Sequence, residues 1–166
     1  MTNEPSAVLD RLAAYEAAGI STKPLYDEWS KSYDADLVGG LGYTGHLIAA
    51  NALAQIAPDK AASILDIGCG TGLVGQELIS RGYARIDGID ISDEMLNIAR
   101  LKAIYGQLLV GDLMTRTTIE TGAYQAAVCA GSFAPGHLGP DCFREIIRLV
   151  QPGSPIVIFH ERRALC

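Results

Sequence analysis

No two cysteines in this sequence are spaced to share a metal. Cys69, Cys129, Cys142 and Cys166 form no CxxC pair, and the three histidines, His46, His137 and His160, lie far from them. That spacing excludes a structural zinc site of the usual kind. It predicts reduced, buried thiols in a cytoplasmic protein without a bound metal. No apolar run approaches the ~20 residues of a membrane span. The opening MTNEPSAVLDRL lacks a basic stretch followed by an apolar one, so no secretory leader is expected. There is no Lys/Arg block either. Thirteen basic residues against 19 acidic ones give a formal net charge of −6, which argues against a nucleic-acid or anionic-membrane partner. Repeats and low-complexity tracts are missing too. What is left is an ordinary globular composition, 49% hydrophobic and 19% charged over 166 residues, the size of one domain.

The chain changes character near residue 60. Before it, Val8, Leu9, Leu12 and Tyr15 recur at helical spacing, with Gly19 as a stop. A second helix is predicted from Lys23 to Asp36, with Tyr26, Trp29 and Tyr33 on one face. A third, Tyr43 to Ala57, ends at Pro58. From Ser63 on, short apolar runs (SILDI, RIDGID, QLLV, YQAAVCA, PIVIFH) alternate with helical stretches at Leu73 to Arg81, Ser92 to Leu101 and Asp141 to Leu149. Ser92 is a good N-cap, and Asp93 and Glu94 complement the dipole of the turn that follows. Strands alternating with helices predict βαβ units and a parallel sheet covered on both faces.

Four glycines crowd positions 68 to 75, directly after the first strand. A strand, a glycine turn and a helix present bare backbone to a ligand at the carboxyl edge of a sheet. Two frames fit. Gly70-x-Gly72-x-x-Gly75, with Asp90 twenty residues after Gly70, matches a dinucleotide site and would make an NAD(P)-dependent oxidoreductase. Asp66-x-Gly68-x-Gly70-x-Gly72 puts an acid at the strand end and glycines on alternate residues. It would let a ligand with no pyrophosphate lie flat on the main chain, with the Asp66 carboxylate suited to a cationic group.

The second frame, LDIGCGTG, resembles motif I of the class I S-adenosylmethionine-dependent methyltransferases, and the resemblance covers roughly residues 60 to 160. It implies a three-layer α/β/α Rossmann-like sandwich with strand order 3-2-1-4-5. Residues 61–166 would be the cofactor-binding core of a single domain, and residues 1–60 a helical lid. The implied cofactor is S-adenosylmethionine, leaving as S-adenosylhomocysteine. Gly68, Cys69, Gly70 and Gly72 would give close backbone approach, with Asp66 at the methionine end. Asp90, followed by Ile91, would hold the ribose, and Asp112 with Leu113 the adenine. Ala130, in AGSF after strand four, would lie beside the transferred methyl. LVQPGSPIVIF is similar to the helix–turn–strand-five signature, with Ser154 in place of a second glycine.

A narrower resemblance, LYDEWSKSYDADL ahead of ILDIGCGTGLVGQEL, is to the Williams–Beuren-region methyltransferase-like proteins. It implies that Tyr33 and Trp29 belong to a lid over the cofactor, where aromatic faces suit a sulfonium. The expected reaction is methylation of a small-molecule acceptor, with neither nucleic acid nor membrane as partner. His137 in SFAPGHLGP is the nearest base. No NPPY-type tetrapeptide follows strand four, and no Ser-His-Asp order is persuasive. Family members usually continue into a further helix and a β-hairpin, whereas only ERRALC follows strand five here. A shortened piece of a longer chain, a naturally short form, or a second copy of the chain covering the strand edge this leaves would each account for it. A protein that binds the cofactor without turnover stays open as an alternative to the enzyme.

Overall fold

A computed structural model of the chain describes residues 5–133 and 137–160. Three helices come first: α1 (Pro5–Ala18), α2 (Lys23–Trp29) and α3 (Gly45–Ile56), with a π-helical segment, Ala35–Gly40, between the last two. Strands and helices then alternate as β1 (Ser63–Ile67), α4 (Leu73–Ser80), β2 (Arg85–Asp90), α5 (Asp93–Leu101), β3 (Leu108–Val110), β4 (Ala126–Ala130), α6 (Cys142–Leu149) and β5 (Ile156–Phe159). The sheet runs β3-β2-β1-β4-β5 with every neighbouring pair parallel. This is the expected Rossmann-like order.

The periodicities in the sequence account for the layers. Side chains of β1 alternate between two apolar layers. Ile64 joins Val128, Ala49, Leu53 and Leu78 under α3 and α4, while Leu65 and Ile67 join Ala127, Cys129 and Ile146 under α6. On α6, Cys142, Ile146 and Leu149 form the buried stripe at helical spacing. Each such large apolar side chain contributes roughly 1.5–3 kcal/mol when fully buried. α5 starts where expected, the Ser92 hydroxyl accepting from the Met95 amide at 3.1 Å. β5 pairs with β4 on one side and is half-buried along its length. The described thiols, Cys69, Cys129 and Cys142, are free and buried; Cys166 lies outside the described residues. No described helix is long and apolar enough to cross a membrane, and the described residues hold no cluster of metal-ligating groups.

The helix expected from Lys23 to Asp36 is broken after Trp29. The Trp29 ring turns into a third small core with Val8, Leu12, Leu25 and Leu37. Across the break its Nε1 donates to Asp36 Oδ2 at 2.8 Å, and the Ser30 hydroxyl turns back onto the Asp27 carbonyl at 3.0 Å. The chain from α1 to the π-helical segment thus forms a cap with its own interior, seated above the carboxyl ends of the strands.

Candidate functional site

The order of the sheet reverses at β1, whose neighbours are β2 and β4. Crevices form at such a point because the loops leave in opposite directions. The loop after β1 is left-handed at three glycines, Gly68 (φ 61°), Gly70 (φ 54°) and Gly72 (φ 95°), a region that side chains with a Cβ rarely enter. A Cβ on Gly68 would stand 2.1 Å from the Ser132 hydroxyl, whereas one on Gly70 would meet nothing within 4 Å. The loop therefore touches the β4 loop on one side and offers bare backbone to open space on the other.

That space is a cleft open to solvent, enclosing about 760 Å³ of empty volume with its open mouth included. Gly68 and Gly70 form its floor. Asp90 and Ile91 enter from the β2 loop, Asp112 and Leu113 from the β3 loop, and Ala130 from β4. Tyr33 and His137 complete the wall. A smaller hollow shares Tyr33, Gly68, Gly70 and Ala130 with it and adds Cys69, Thr71, Tyr43 and His46. Among the residues expected at the site, Trp29, Asp66 and Gly72 line neither space. Trp29 belongs to the core of the cap. Gly72 is the N-cap of α4.

Asp66 shares a strand face with Ile64 and so points into the layer beneath α4. It is 1% exposed; Oδ2 accepts from the Tyr105 hydroxyl at 2.6 Å, and Oδ1 has no hydrogen-bond partner. Burial, with the nearby charge of Asp90, pushes its carboxyl up to about 7 despite the Tyr105 and Gly75 hydrogen bonds. Asp90 is held by main chain: Oδ2 accepts from the Gly70 amide at 2.8 Å and Oδ1 from the Ser92 amide at 2.9 Å. Burial raises it as well. Neither acid has a cationic side chain as hydrogen-bond partner among the described residues. Lys23 stands on the cleft wall but is paired with Asp27 at 2.7 Å. The cleft thus holds one buried acid, Asp90, beside bare backbone, with Asp66 behind the loop, an arrangement that favours a cation over an anion. Asp112 turns its own loop, Oδ1 accepting from the Met114 amide at 2.8 Å.

The cap is tied down by acids. Asp27 accepts from the Ser92 hydroxyl at 2.6 Å. Asp34 accepts from the Thr71 hydroxyl and, at 2.6 Å, from Lys102. These ties follow the tyrosines in LYDEWSKSYDADL, so the segment carries the signal, but only the fold reveals their partners. Tyr26, Trp29 and Tyr33 form one aromatic cluster, with the Trp29 and Tyr33 centroids 4.7 Å apart. His137 lies edge-on to Tyr26 at 5.3 Å, with Nε2 3.6 Å from Glu16. Sequence reasoning missed Tyr105, whose partner is 39 positions away.

A family described as "Methyltransferase domain" matches residues 64–153. The human "Methyltransferase-like protein 27" is 31% identical over 136 residues, which are 80% of this chain and 55% of that protein. The chain therefore spans about half of that relative. The Bos taurus "18S rRNA (guanine-N(7))-methyltransferase" is 39% identical over 70 residues, 42% of this chain and a quarter (25%) of that protein. Among solved structures, a TehB-like SAM-dependent methyltransferase from Corynebacterium glutamicum superposes with a TM-score of 0.62 at 24% identity, over 80% of this chain and 71% of that one. The bovine relative overturns the expected exclusion of nucleic acid, and with it the expected small-molecule acceptor. The physical reason is that a net charge of −6 is a sum over the whole surface. It does not report the charge of the face around one cleft.

Proposed function

We propose, from the premise that this chain belongs to the methyltransferase-domain family of class I S-adenosylmethionine-dependent enzymes, that it binds S-adenosylmethionine in the cleft and catalyses methyl transfer. The observation that carries this reading is the convergence of Asp90 and Asp112 on one cleft beside the bare Gly68 and Gly70. The residues present fit the cofactor. The glycine loop leaves room for a flat approach, and Asp90 on the cleft wall, with Asp66 behind the loop, favours a cationic guest.

When bound, the cofactor supplies a methyl group activated by its sulfonium. Asp90 would take the ribose hydroxyls on the lone pairs its amide bonds leave free. Asp112 and the Leu113 backbone would hold the adenine, and Ile91 would pack beside it. Ala130 borders the acceptor side. Tyr33 would close the cleft from the cap and exclude water. Orientation does most of the work in such a displacement, and His137 would receive a proton from an acceptor that carries one. Buried free thiols accord with the cytoplasmic setting expected from the sequence.

A thermal-shift comparison tests the reading. S-adenosylmethionine and S-adenosylhomocysteine should raise Tm, and NADH should not. Asp90→Ala should abolish the rise while leaving the protein folded. A Tm moved by NADH and by neither sulfur compound would favour the oxidoreductase frame and end this proposal. Once an acceptor is in hand, His137→Asn should lower kcat far more than it raises KM.

A further inference from the structure

The third glycine of the dinucleotide pattern, Gly75, is unused by motif I. A Cβ there would stand 2.4 Å from the Tyr105 hydroxyl oxygen and 2.5 Å from its Cζ, and one on Gly72 would stand 3.1 Å from Cε2. The start of α4 is bare where Tyr105 crosses it. The crossing itself is set by an uncommon backbone. Ala103, two residues earlier, has φ 52°, the one described non-glycine residue with positive φ. The Gly106 amide then ties the chain to the Ile86 carbonyl of β2 at 2.8 Å. Residues with a Cβ persist in this region when surrounding structure holds them there, often at functional sites. Here the turn delivers a phenol to Asp66, 2.6 Å from Oδ2, the one side-chain donor to that carboxyl among the described residues.

Resting on the reading above, we propose that Tyr105 is a positioning residue of the cofactor site. By crossing Gly72 and Gly75 to reach Asp66, it fixes the end of β1 and the glycine loop in the form that receives the cofactor. The cause is local. Asp66 is buried, its Oδ1 is unpartnered, and the loop begins two residues later. Without the phenol the carboxyl loses its side-chain donor and must take up a proton or move, and either change is felt at Gly68. The ionisable groups that act on Asp66 or on which it acts are Tyr105 from the α5–β3 turn, Asp90 from β2, Cys69 from the loop and Cys129 from β4. None is cationic. Burial keeps the Tyr105 proton in place, so Tyr105 donates and Asp66 accepts.

Tyr105→Phe removes one oxygen and keeps the ring. In the cofactor-free protein, the Asp66 titration followed by carbon NMR should move to higher pH. S-adenosylhomocysteine affinity by calorimetry should fall about tenfold at pH 7. The gap should narrow toward pH 9, as Asp66 ionises in both proteins. If Tyr105 acts through Asp66, the same substitution in an Asp66→Asn background, which carries no buried charge, should change affinity less than about threefold. A Tyr105→Phe protein with lowered Tm but unchanged affinity and pH profile would show a packing role and overturn the inference alone. Equal losses in both backgrounds would overturn it too. A parent protein that binds no S-adenosylhomocysteine would remove the functional reading and this inference together, whatever the NMR titration shows.

Discussion

Asp66 sits at a position that stability alone would give to a valine. A carboxyl whose folded pKa is raised holds its proton more tightly in the native state than in the unfolded one. Its favourable contribution is complete below the unfolded value of 3.8 and is lost as pH rises through the folded value of about 7. The native state above neutrality carries a deficit of order 4 kcal/mol from this one group. Asp66→Asn should therefore raise Tm at pH 8 by several degrees and at pH 5 by little, while weakening S-adenosylmethionine binding more at pH 8 than at pH 5. A Tm gain independent of pH between 5 and 8 would show that Asp66 does not titrate there. The acid itself is legible in LDIGCGTG. Its inward direction follows from strand periodicity, since Asp66 shares a face with Ile64. What the sequence withheld is Tyr105, because no local pattern ties a residue after α5 to a residue in β1.

The cap and α6 show how elements are joined to the sheet. Exposed ion pairs contribute little, about 0–1 kcal/mol, but Asp34 ties the cap to both Thr71 and Lys102. Asp34→Ala should leave the Tm of the free protein within about 2 °C and raise the S-adenosylhomocysteine dissociation rate several-fold in stopped flow. An unchanged off-rate would mean that the tie is incidental to binding. On α6, Glu145 accepts from the amide and hydroxyl of Thr117, each at 2.8 Å, and from Arg148. Those bonds, Arg148 foremost, pull its carboxyl down to about 2. A lowered folded pKa contributes stability that is complete above about 4.5 and lost as pH falls toward 2. Glu145→Gln should cost several degrees of Tm at pH 7, the difference closing through that window. The strands were legible because Ile and Val runs rarely mean anything else between turns. The break after Trp29 was not, since no glycine or proline marks residues 30–34 and the cause is an indole seeking a core.

At the scale of the whole molecule, stability is graded. β1 and β4 are buried along nearly all their length, whereas the cap rests on a small core and a few polar ties. Amides of β1 and β4 should be the slowest to exchange, those of residues 23–43 among the fastest, and S-adenosylhomocysteine should slow the latter about tenfold or more. Cap exchange indifferent to the ligand would separate the cap from the site. A parallel sheet was readable from the alternation of strands and helices, whereas the order of its strands came only with the resemblance that LDIGCGTG carries. The acceptor was not readable from net charge, which averages over faces that an acceptor never meets. Tyr33 belongs to the cap and walls both hollows, so whatever fills the larger and reaches the smaller is held beneath one side chain. On the proposed function, its passage in either direction would require that ring to swing aside. If that swing limits the proposed turnover, a syrupy solvent should slow it in proportion to viscosity, and a rate indifferent to viscosity would free the ring of that role.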